Sequence, residues 1–237
     1  MCCLNLQMCL LPWTVLVFLL SAGACNADVN LNWLTQIVDQ VTLHCNIRGQ
    51  FSLAMTIPKN LSPANLITIL DNTQNIHNAL RNNNLYISQR MIVATVGGNH
   101  AEVQVLNNLS ELPFNSNDFL LFYTYLSPCA RQCANPNDNR NILGIINNMR
   151  AWTDYALVFQ KPYSDPRGQN PVTQVELTNA LREIGSQIGN GNIFRCYRPA
   201  GSRYSCFRCF QDQNGQNVAP QCIEITTRQP TGNRNMG

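Results

Sequence analysis

Two separated segments of the chain hold residue types that can do hydrolytic chemistry. The first is H-A-E at positions 100–102, and the second runs from Pro128 to Cys133, with cysteines at 129 and 133. One imidazole and two thiolates match the three protein ligands of a catalytic zinc, which keeps its fourth position for water. Glu102 lies two residues from His100, so on a helical turn its carboxylate can face that water and move protons. The pattern predicts zinc held by His100, Cys129 and Cys133, with Glu102 as the acid and base.

Each segment follows a predicted strand and is expected to open a helix at the same edge of a sheet, where α/β proteins present ligands. Asn99 suits the cap of the first helix, and Pro128 suits the first turn of the second. Cys129 and Cys133 are four residues apart and would share one helix face. A helix N-terminus and the neighbouring Arg131 would both favour thiolate over thiol.

Strand-like and helix-like segments alternate along the chain, which favours a layered α/β domain. Apolar runs predict five strands at about 51–57, 90–96, 118–125, 155–159 and 192–197. Helical spacing predicts helices at about 31–41, 64–80, 99–109, 141–152 and 172–187, the second interrupted near Asn72-Thr73. The connection between the last two strands exceeds thirty residues and carries a helix, so those strands are expected to be parallel.

The first 27 residues contain a short uncharged apolar run followed by small residues. This layout is typical of a secretory signal peptide cleaved after Ala24 or Ala27, and an uncleaved anchor is the alternative. We therefore predict a signal peptide at 1–24, a catalytic domain at 25–197 and a cysteine-rich appendix with a frayed tail at 198–237. No later run is long enough to cross a membrane, so the mature protein is expected to be secreted, with no membrane partner.

The formal net charge of +3 argues against a dedicated duplex-DNA-binding protein. Eleven cysteines in a secreted chain favour disulfides, whose connectivity the sequence leaves open. For the four cysteines after residue 195, disulfides are favoured over a second zinc site. Sequons at Asn60 and Asn108 agree with a secreted glycoprotein.

Other interpretations of the two segments remain open at this point. H-x-E alone is common, and C-x3-C in a secreted protein usually marks cysteines that are bridged elsewhere. A purely structural zinc would need a fourth protein ligand. His44 adjoins a helix end and His77 lies in a helical stretch, so both are interpreted as ordinary polar residues.

The order H-x-E, twenty-five intervening residues, then P-C-x3-C resembles the zinc deaminases of the AID/APOBEC group, in particular its secreted vertebrate members. Ser127-Pro128-Cys129 is similar to that group's S-W-S-P-C segment, with Leu126 at the Trp position. The resemblance covers roughly 150 residues and implies a three-layer cytidine-deaminase-like fold, with a five-stranded mixed sheet between helices. It also implies a Zn2+ cofactor and cytosine as the target base. The long, apparently helical connection between the first two strands differs from the group's usual hairpin.

The resemblance also suggests which residues contact the substrate. Tyr125 is a candidate wall for a flipped base, and Asn99 a candidate substrate contact. In related enzymes the loop after the fourth strand touches the flanking nucleotide. There Tyr163 would stack on a base while Lys161 and Arg167 meet phosphates, although a solvated turn is an equal alternative.

The expected substrate is therefore single-stranded DNA or RNA, and a secreted enzyme would meet such strands of viral or microbial origin, in innate or antiviral defence. Two other functions stay open. One is deamination of a free nucleoside, which the helix between the last two strands disfavours. The other is a silent nucleic-acid-binding protein on a deaminase fold. The oligomeric state is not predicted.

Overall fold

A computed structural model describes residues 29–164, 170–212 and 214–225 of the 237-residue chain. Its strands form one seven-stranded sheet in the order β2-β3-β1-β4-β5-β6-β7. The strands are β1 (Phe51–Pro58), β2 (Leu85–Ile87), β3 (Met91–Thr95), β4 (Asp118–Leu126), β5 (Asp154–Lys161), β6 (Ile193–Tyr197) and β7 (Ser205–Arg208). All five predicted strands are present, and the short edge strands β2 and β7 are additional.

The sheet is mixed, as expected. Strand β1 is antiparallel to both β3 and β4, whereas β4, β5 and β6 run parallel to one another. The predicted parallel pairing of β5 with β6 is therefore confirmed. Because β3, β4 and β5 point the same way, their carboxyl ends share one edge of the sheet with the start of β1.

Helices cover both faces of the sheet. They are α1 (Leu31–Cys45), α2 (Thr73–Asn83), α3 (Ala101–Asn107), α4 (Leu143–Ile146), α5 (Gln174–Ile188) and α6 (Pro220–Ile223). Helices α1 and α2 contribute to one apolar core, and the other four contribute to the core on the opposite face. This arrangement is the predicted three-layer α/β architecture.

The long connection between β1 and β2 is helical, but it consists of two separate helical segments. A 3-10 segment spans Pro63–Thr68, and α2 starts at Thr73. The Asn72 side chain accepts hydrogen bonds from two backbone N–H groups of the first turn of α2. Asparagine is a strong helix cap, so Asn72 starts a new helix where the sequence predicted an interruption.

Helix α5 joins the parallel strands β5 and β6 and carries a capping box at its start. The Thr173 hydroxyl accepts from the Glu176 backbone N–H, and the Glu176 carboxylate accepts from the Thr173 backbone N–H. The apolar face of α5 packs into the core on the face of the sheet opposite α1 and α2, through residues such as Leu181 and Ile184. The predicted crossover helix is thereby confirmed, one to two residues further along the chain.

The segment after Tyr197 continues the sheet. Strand β7 pairs antiparallel with β6, and disulfides join Cys196 to Cys206 and Cys209 to Cys222. The expectation of disulfides over a second zinc site is confirmed for these four cysteines. The predicted signal peptide and the end of the tail lie outside the described residues, and the domain boundaries remain predictions. Among the described residues, no helix combines the length and apolarity needed to span a bilayer.

Candidate metal centre

The candidate site lies at the sheet edge where β3, β4 and β5 end. The chain leaves β3 at Thr95 and reaches His100, which is the N-cap residue of α3. It leaves β4 at Leu126 and reaches Cys129 three residues later. Since β1 lies between β3 and β4 in the sheet, the two predicted segments meet at this edge across the start of β1.

His100, Cys129 and Cys133 form a compact group of three donors. The His100 Nδ1 atom lies 3.0 Å from the Cys133 sulfur and 3.9 Å from the Cys129 sulfur, and the two sulfurs are 3.0 Å apart. Both cysteines are buried and neither is in a disulfide. This is the one group of three or more His, Cys, Asp or Glu donors within reach of a common ion among the described residues.

The donor set fits zinc. One imidazole nitrogen and two sulfurs, all within 4.8 Å of one another, supply the three protein ligands of a hydrolytic zinc and leave its fourth position open. His44 and His77 take no part, as expected. Their Nε2 atoms lie 2.7 Å from the backbone oxygens of Asp71 and Cys45, respectively.

The prediction of a helix beginning at Pro128 is wrong. Residues 130–134 form hydrogen-bonded turns, with the Ala134 N–H donating to the Cys129 carbonyl. Pro136 disfavours helical geometry at Asn135, and the Asn- and Asp-rich stretch that follows favours turns. The turn still brings the two sulfurs together, because the Cys133 backbone N–H donates to the Cys129 sulfur at 3.2 Å.

The two thiols of the metal-free site differ in acidity. Hydrogen bonding from Cys133, and secondarily contact with His100, lowers the pKa of Cys129 to about 4 against its burial. The same hydrogen bond to Cys129, together with burial, raises the pKa of Cys133. The hydrogen bond between the two sulfurs therefore favours the thiolate form of Cys129 over that of Cys133.

Arg131 does not provide the charge that was expected to stabilise this thiolate. Its guanidinium donates to both carboxylate oxygens of Glu176, at 2.8 and 3.3 Å, and to the backbone oxygens of Asn170 and Pro171. The expectation for Arg131 is thus wrong. Arg131 instead ties the cysteine segment to the start of α5.

Glu102 is 3 % exposed and lies on the first turn of α3. Its Oε1 atom accepts hydrogen bonds from Gln50 Nε2 at 2.9 Å and from the Thr124 hydroxyl at 3.0 Å. Burial raises the pKa of the Glu102 carboxyl, whereas the Thr124 hydrogen bond and the nearby His100 act in the opposite direction. A carboxyl with a raised pKa is better matched to giving and taking a proton near neutral pH.

A cavity of about 200 Å³ opens beside the donor group. It is lined by Gln50, Val96, His100, Glu102, Leu126, Cys129 and Tyr163. Pockets for drug-sized ligands measure about 300–1,000 Å³, so this cavity suits a single small ring. Its lining is mostly apolar, and the polar groups gather at the donor end.

Of the predicted substrate contacts, only Tyr163 lines this cavity. Its backbone N–H donates to the Ser127 hydroxyl at 2.8 Å, which couples the loop after β5 to the loop after β4. Asn99 is exposed, does not line the cavity and does not cap α3, since His100 occupies the cap position. Arg167 falls outside the described residues.

Tyr125 faces away from the metal cavity, and Lys161 does not line it. Successive side chains of a strand point to opposite faces. Thr124 and Leu126 of β4 face the metal side, so Tyr125 packs against the core beneath α1 and lines a different groove. The Lys161 ammonium lies 4.9 Å from the centre of the Tyr125 ring. Tyr125 is therefore not the wall of this cavity.

Three residues of the site escaped the sequence analysis. Gln50 and Thr124 donate hydrogen bonds to the Glu102 carboxylate, and the Ser127 hydroxyl accepts one from the Tyr163 backbone N–H. Strand alternation could have identified Thr124, because it lies two residues before Leu126 on the same face. Gln50 carries no such pattern, and its partner is 52 residues away.

Comparison with protein families agrees with this geometry. The model of the family described as Secreted Novel AID/APOBEC-like Deaminase 1 matches residues 32–224, about four fifths of the chain. The chain belongs to this family. The resemblance inferred from the two segments is thereby confirmed, and membership places the protein among secreted deaminase-like proteins. The disulfides agree with an oxidising compartment. A search of curated proteins found no match.

Proposed function

We propose that this protein is a zinc-dependent hydrolytic deaminase that converts cytosine to uracil in single-stranded nucleic acid. The observation that carries the proposal is the position of Glu102. This buried carboxylate lines one small cavity together with two of the three donors, His100 and Cys129, and the cavity has room for a single ring. Family membership supports the same reaction class.

His100, Cys129 and Cys133 would hold the zinc. When bound, zinc acts as a Lewis acid and lowers the pKa of water at its open position. The hydrogen bonds to the Cys129 sulfur lower its pKa and so favour the thiolate that a metal ligand must be. Cys133 must lose its proton on metal binding, so zinc affinity is expected to fall as the solution becomes acidic.

Glu102 would move the protons. In the overall reaction, cytosine and water give uracil and ammonia. The carboxylate accepts one proton of the attacking water and gives it to the ring nitrogen, and it then moves the second proton from the added hydroxyl to the amino group, which leaves as ammonia. Gln50 and Thr124 both donate to Oε1, so the carboxylate is held in one orientation. Among the described residues, no side chain donates to Oε2, which leaves that oxygen for the transferred proton.

The cavity walls would orient the base. Val96, Leu126 and Tyr163 supply apolar and aromatic surface for one ring and keep bulk water from it. Because the family is secreted, the protein would meet single-stranded nucleic acid outside the cell. Foreign nucleic acid is compatible with that location.

The test uses zinc-loaded protein with single-stranded DNA and RNA oligonucleotides that contain one cytosine or one adenine. We expect uracil from cytosine, and we expect Glu102→Gln to retain one zinc per chain while losing activity. Glu111→Gln removes an exposed carboxylate outside the cavity and serves as the matched control. Wild-type activity in Glu102→Gln would contradict the assigned mechanism.

A further inference from the structure

A second cavity, of about 450 Å³, lies on the other side of the loop that joins α1 to β1. Its walls come from the end of α1, from α2 and from the end of β3. Arg48 and Arg81 line it, and among the residues that the structure describes no Asp or Glu side chain does. We refer to it as the arginine cleft.

The charge of the arginine cleft is not neutralised by the described part of the chain. In the described part of the chain, the basic residues in ion pairs are Lys59, Arg90, Arg131 and Arg140. Neither Arg48 nor Arg81 takes part in an ion pair. Arg81 donates to the neutral amide of Asn78. Both arginines are exposed, so their guanidinium groups are accessible to an anion. Guanidinium recognises phosphate through paired hydrogen bonds.

Helix α2 also reduces the negative charge that the end of α1 presents to the cleft. The end of α1 would present carbonyl oxygens there, which repel negative charge. The Cys45 carbonyl is occupied, however, by His77 Nε2 at 2.7 Å, and the His44 carbonyl accepts from the Thr73 hydroxyl at 3.2 Å. These contacts come from α2, so the same helix that contributes Arg81 also masks the negative end of α1.

The arginine cleft lies on the face of the sheet that α1 and α2 cover, and it meets the metal cavity at the end of β3 and the start of β1. Thr95 lines the cleft and the next residue, Val96, lines the metal cavity. Arg48 lines the cleft and Gln50, two residues later, lines the metal cavity. Two residues span no more than about 8 Å between Cα atoms. A nucleic-acid strand covers that distance in one to three nucleotides, since each adds about 3.4 Å or more.

We propose that the arginine cleft binds a backbone phosphate of a single-stranded polynucleotide whose target base occupies the metal cavity. The proposal rests on the deaminase function proposed above and adds a binding site for the strand beyond the target base. A free nucleoside has no phosphate and would leave the cleft unused. Arg81 belongs to the helical connection between β1 and β2, and a tight hairpin in its place would have no counterpart of this wall.

The test measures binding and turnover separately. A labelled oligothymidylate reports binding without chemistry, and an oligonucleotide with one cytosine and free cytidine report turnover. The variants are Arg48→Ala with Arg81→Ala, the corresponding double lysine variant, and Arg150→Ala as control. Arg150 is exposed and precedes β5, at the opposite edge of the sheet.

The double alanine variant should bind oligothymidylate more weakly, with the slope of log affinity against log salt smaller by about 0.7 for each lost contact. The lysine variant should recover most of the affinity because it keeps the charge. Arg150→Ala should match wild type, and turnover of free cytidine should be the same in all variants. Melting temperatures identify any variant that fails to fold. If the double alanine variant does not fold, the single alanine variants take its place, and their oligothymidylate affinity is compared with that of the double lysine variant.

Several results would overturn the proposal. These are an unchanged affinity and salt slope in the double alanine variant, an equal loss in Arg150→Ala, or cytidine turnover without oligonucleotide binding. The last result would leave the deamination chemistry standing, with a free nucleoside as its substrate. Arginine-dependent oligonucleotide binding with no turnover of any substrate would instead support the cleft and reject the deaminase function.

Discussion

Gln50 Nε2 donates to Glu102 Oε1 across 2.9 Å, and Gln50 Oε1 accepts the backbone N–H of Leu126 across 2.9 Å. One amide therefore links the candidate proton carrier on α3 to the end of β4. Leu126 lines the same cavity, so the contact positions the carboxylate relative to the space for the substrate.

Replacing Gln50 should reduce turnover without removing the metal. In Gln50→Ala, Glu102 keeps its Thr124 hydrogen bond but loses one of two constraints on its orientation. We expect kcat to fall about 10- to 100-fold, as for other residues that orient a reactive group, with zinc content unchanged. Steady-state kinetics and metal analysis provide the measurement. Gln89→Ala, at an exposed position on the opposite edge of the sheet, is the control. A loss of zinc equal to the loss of kcat would mean that Gln50 supports the metal site itself.

Metal removal should expose a difference between the three free thiols of the described residues. Cys129 lines the cavity and its hydrogen bonds lower its pKa, whereas Cys45 is fully buried and burial raises its pKa to about 12. After chelation at pH 7.5, iodoacetamide should modify Cys129 first and Cys45 last. Peptide mass spectrometry at several times gives the order. Modification of Cys45 ahead of Cys129 in folded protein would contradict the assigned environments.

Oxidation of the metal-free protein should inactivate it reversibly. The Cys129 and Cys133 sulfurs are 3.0 Å apart with no bond between them, and a thiolate adjoins a thiol. A mild oxidant should form a disulfide between them and abolish zinc binding, and a reductant should restore it. Zinc-loaded protein under the same oxidant is the control and should stay active. Equal inactivation of the zinc-loaded form would show that the thiols are not metal ligands.

Glu176 should stabilise the fold in a pH-dependent manner. The hydrogen bonds from Arg131, followed by those from Thr173, lower its pKa to about 2, and the side chain is 33 % exposed to solvent. A lowered carboxyl pKa adds stability above the ordinary value of 4.5, and this stability is lost as the pH falls through about 2. The free-energy difference of unfolding between wild type and Glu176→Gln should therefore be larger at pH 7 than at pH 3. Urea titrations with chelator present at both pH values measure it. A difference that grows on acidification would contradict this assignment.

The strands and the donor residues of the site were accessible from sequence for physical reasons. Buried strands such as β4 are continuous apolar runs, and α5 shows helical spacing from Leu177 to Ile188. The order and spacing of His100, Glu102, Cys129 and Cys133 also distinguish them from isolated residues. The apolar runs, the helical spacing and each half of the donor motif can be seen within a short stretch of chain.

What the sequence did not predict depends on contacts between distant segments or on weak local preference. Strand β2 has three residues and an exposed Ile87, too little for an apolar pattern. The four-residue spacing of Cys129 and Cys133 suits a helix and a tight turn equally, and the nearby Pro136 favours the turn. The Gln50–Glu102 contact arises only when β1 pairs with β4. Tyr125 was predicted to line the base pocket because of its position just before the cysteine motif. Strand alternation instead directs its side chain to the face covered by α1.

The central claim is that one imidazole and two thiolates bind a single zinc beside Glu102. X-ray absorption spectroscopy of the zinc-loaded protein tests it most directly. The account predicts one zinc per chain with two sulfur ligands at about 2.3 Å, one histidine nitrogen at about 2.0–2.1 Å and a remaining oxygen ligand. Cys133→Ser should remove one of the two sulfur ligands. A four-sulfur zinc, or a spectrum unchanged in Cys133→Ser, would contradict the account.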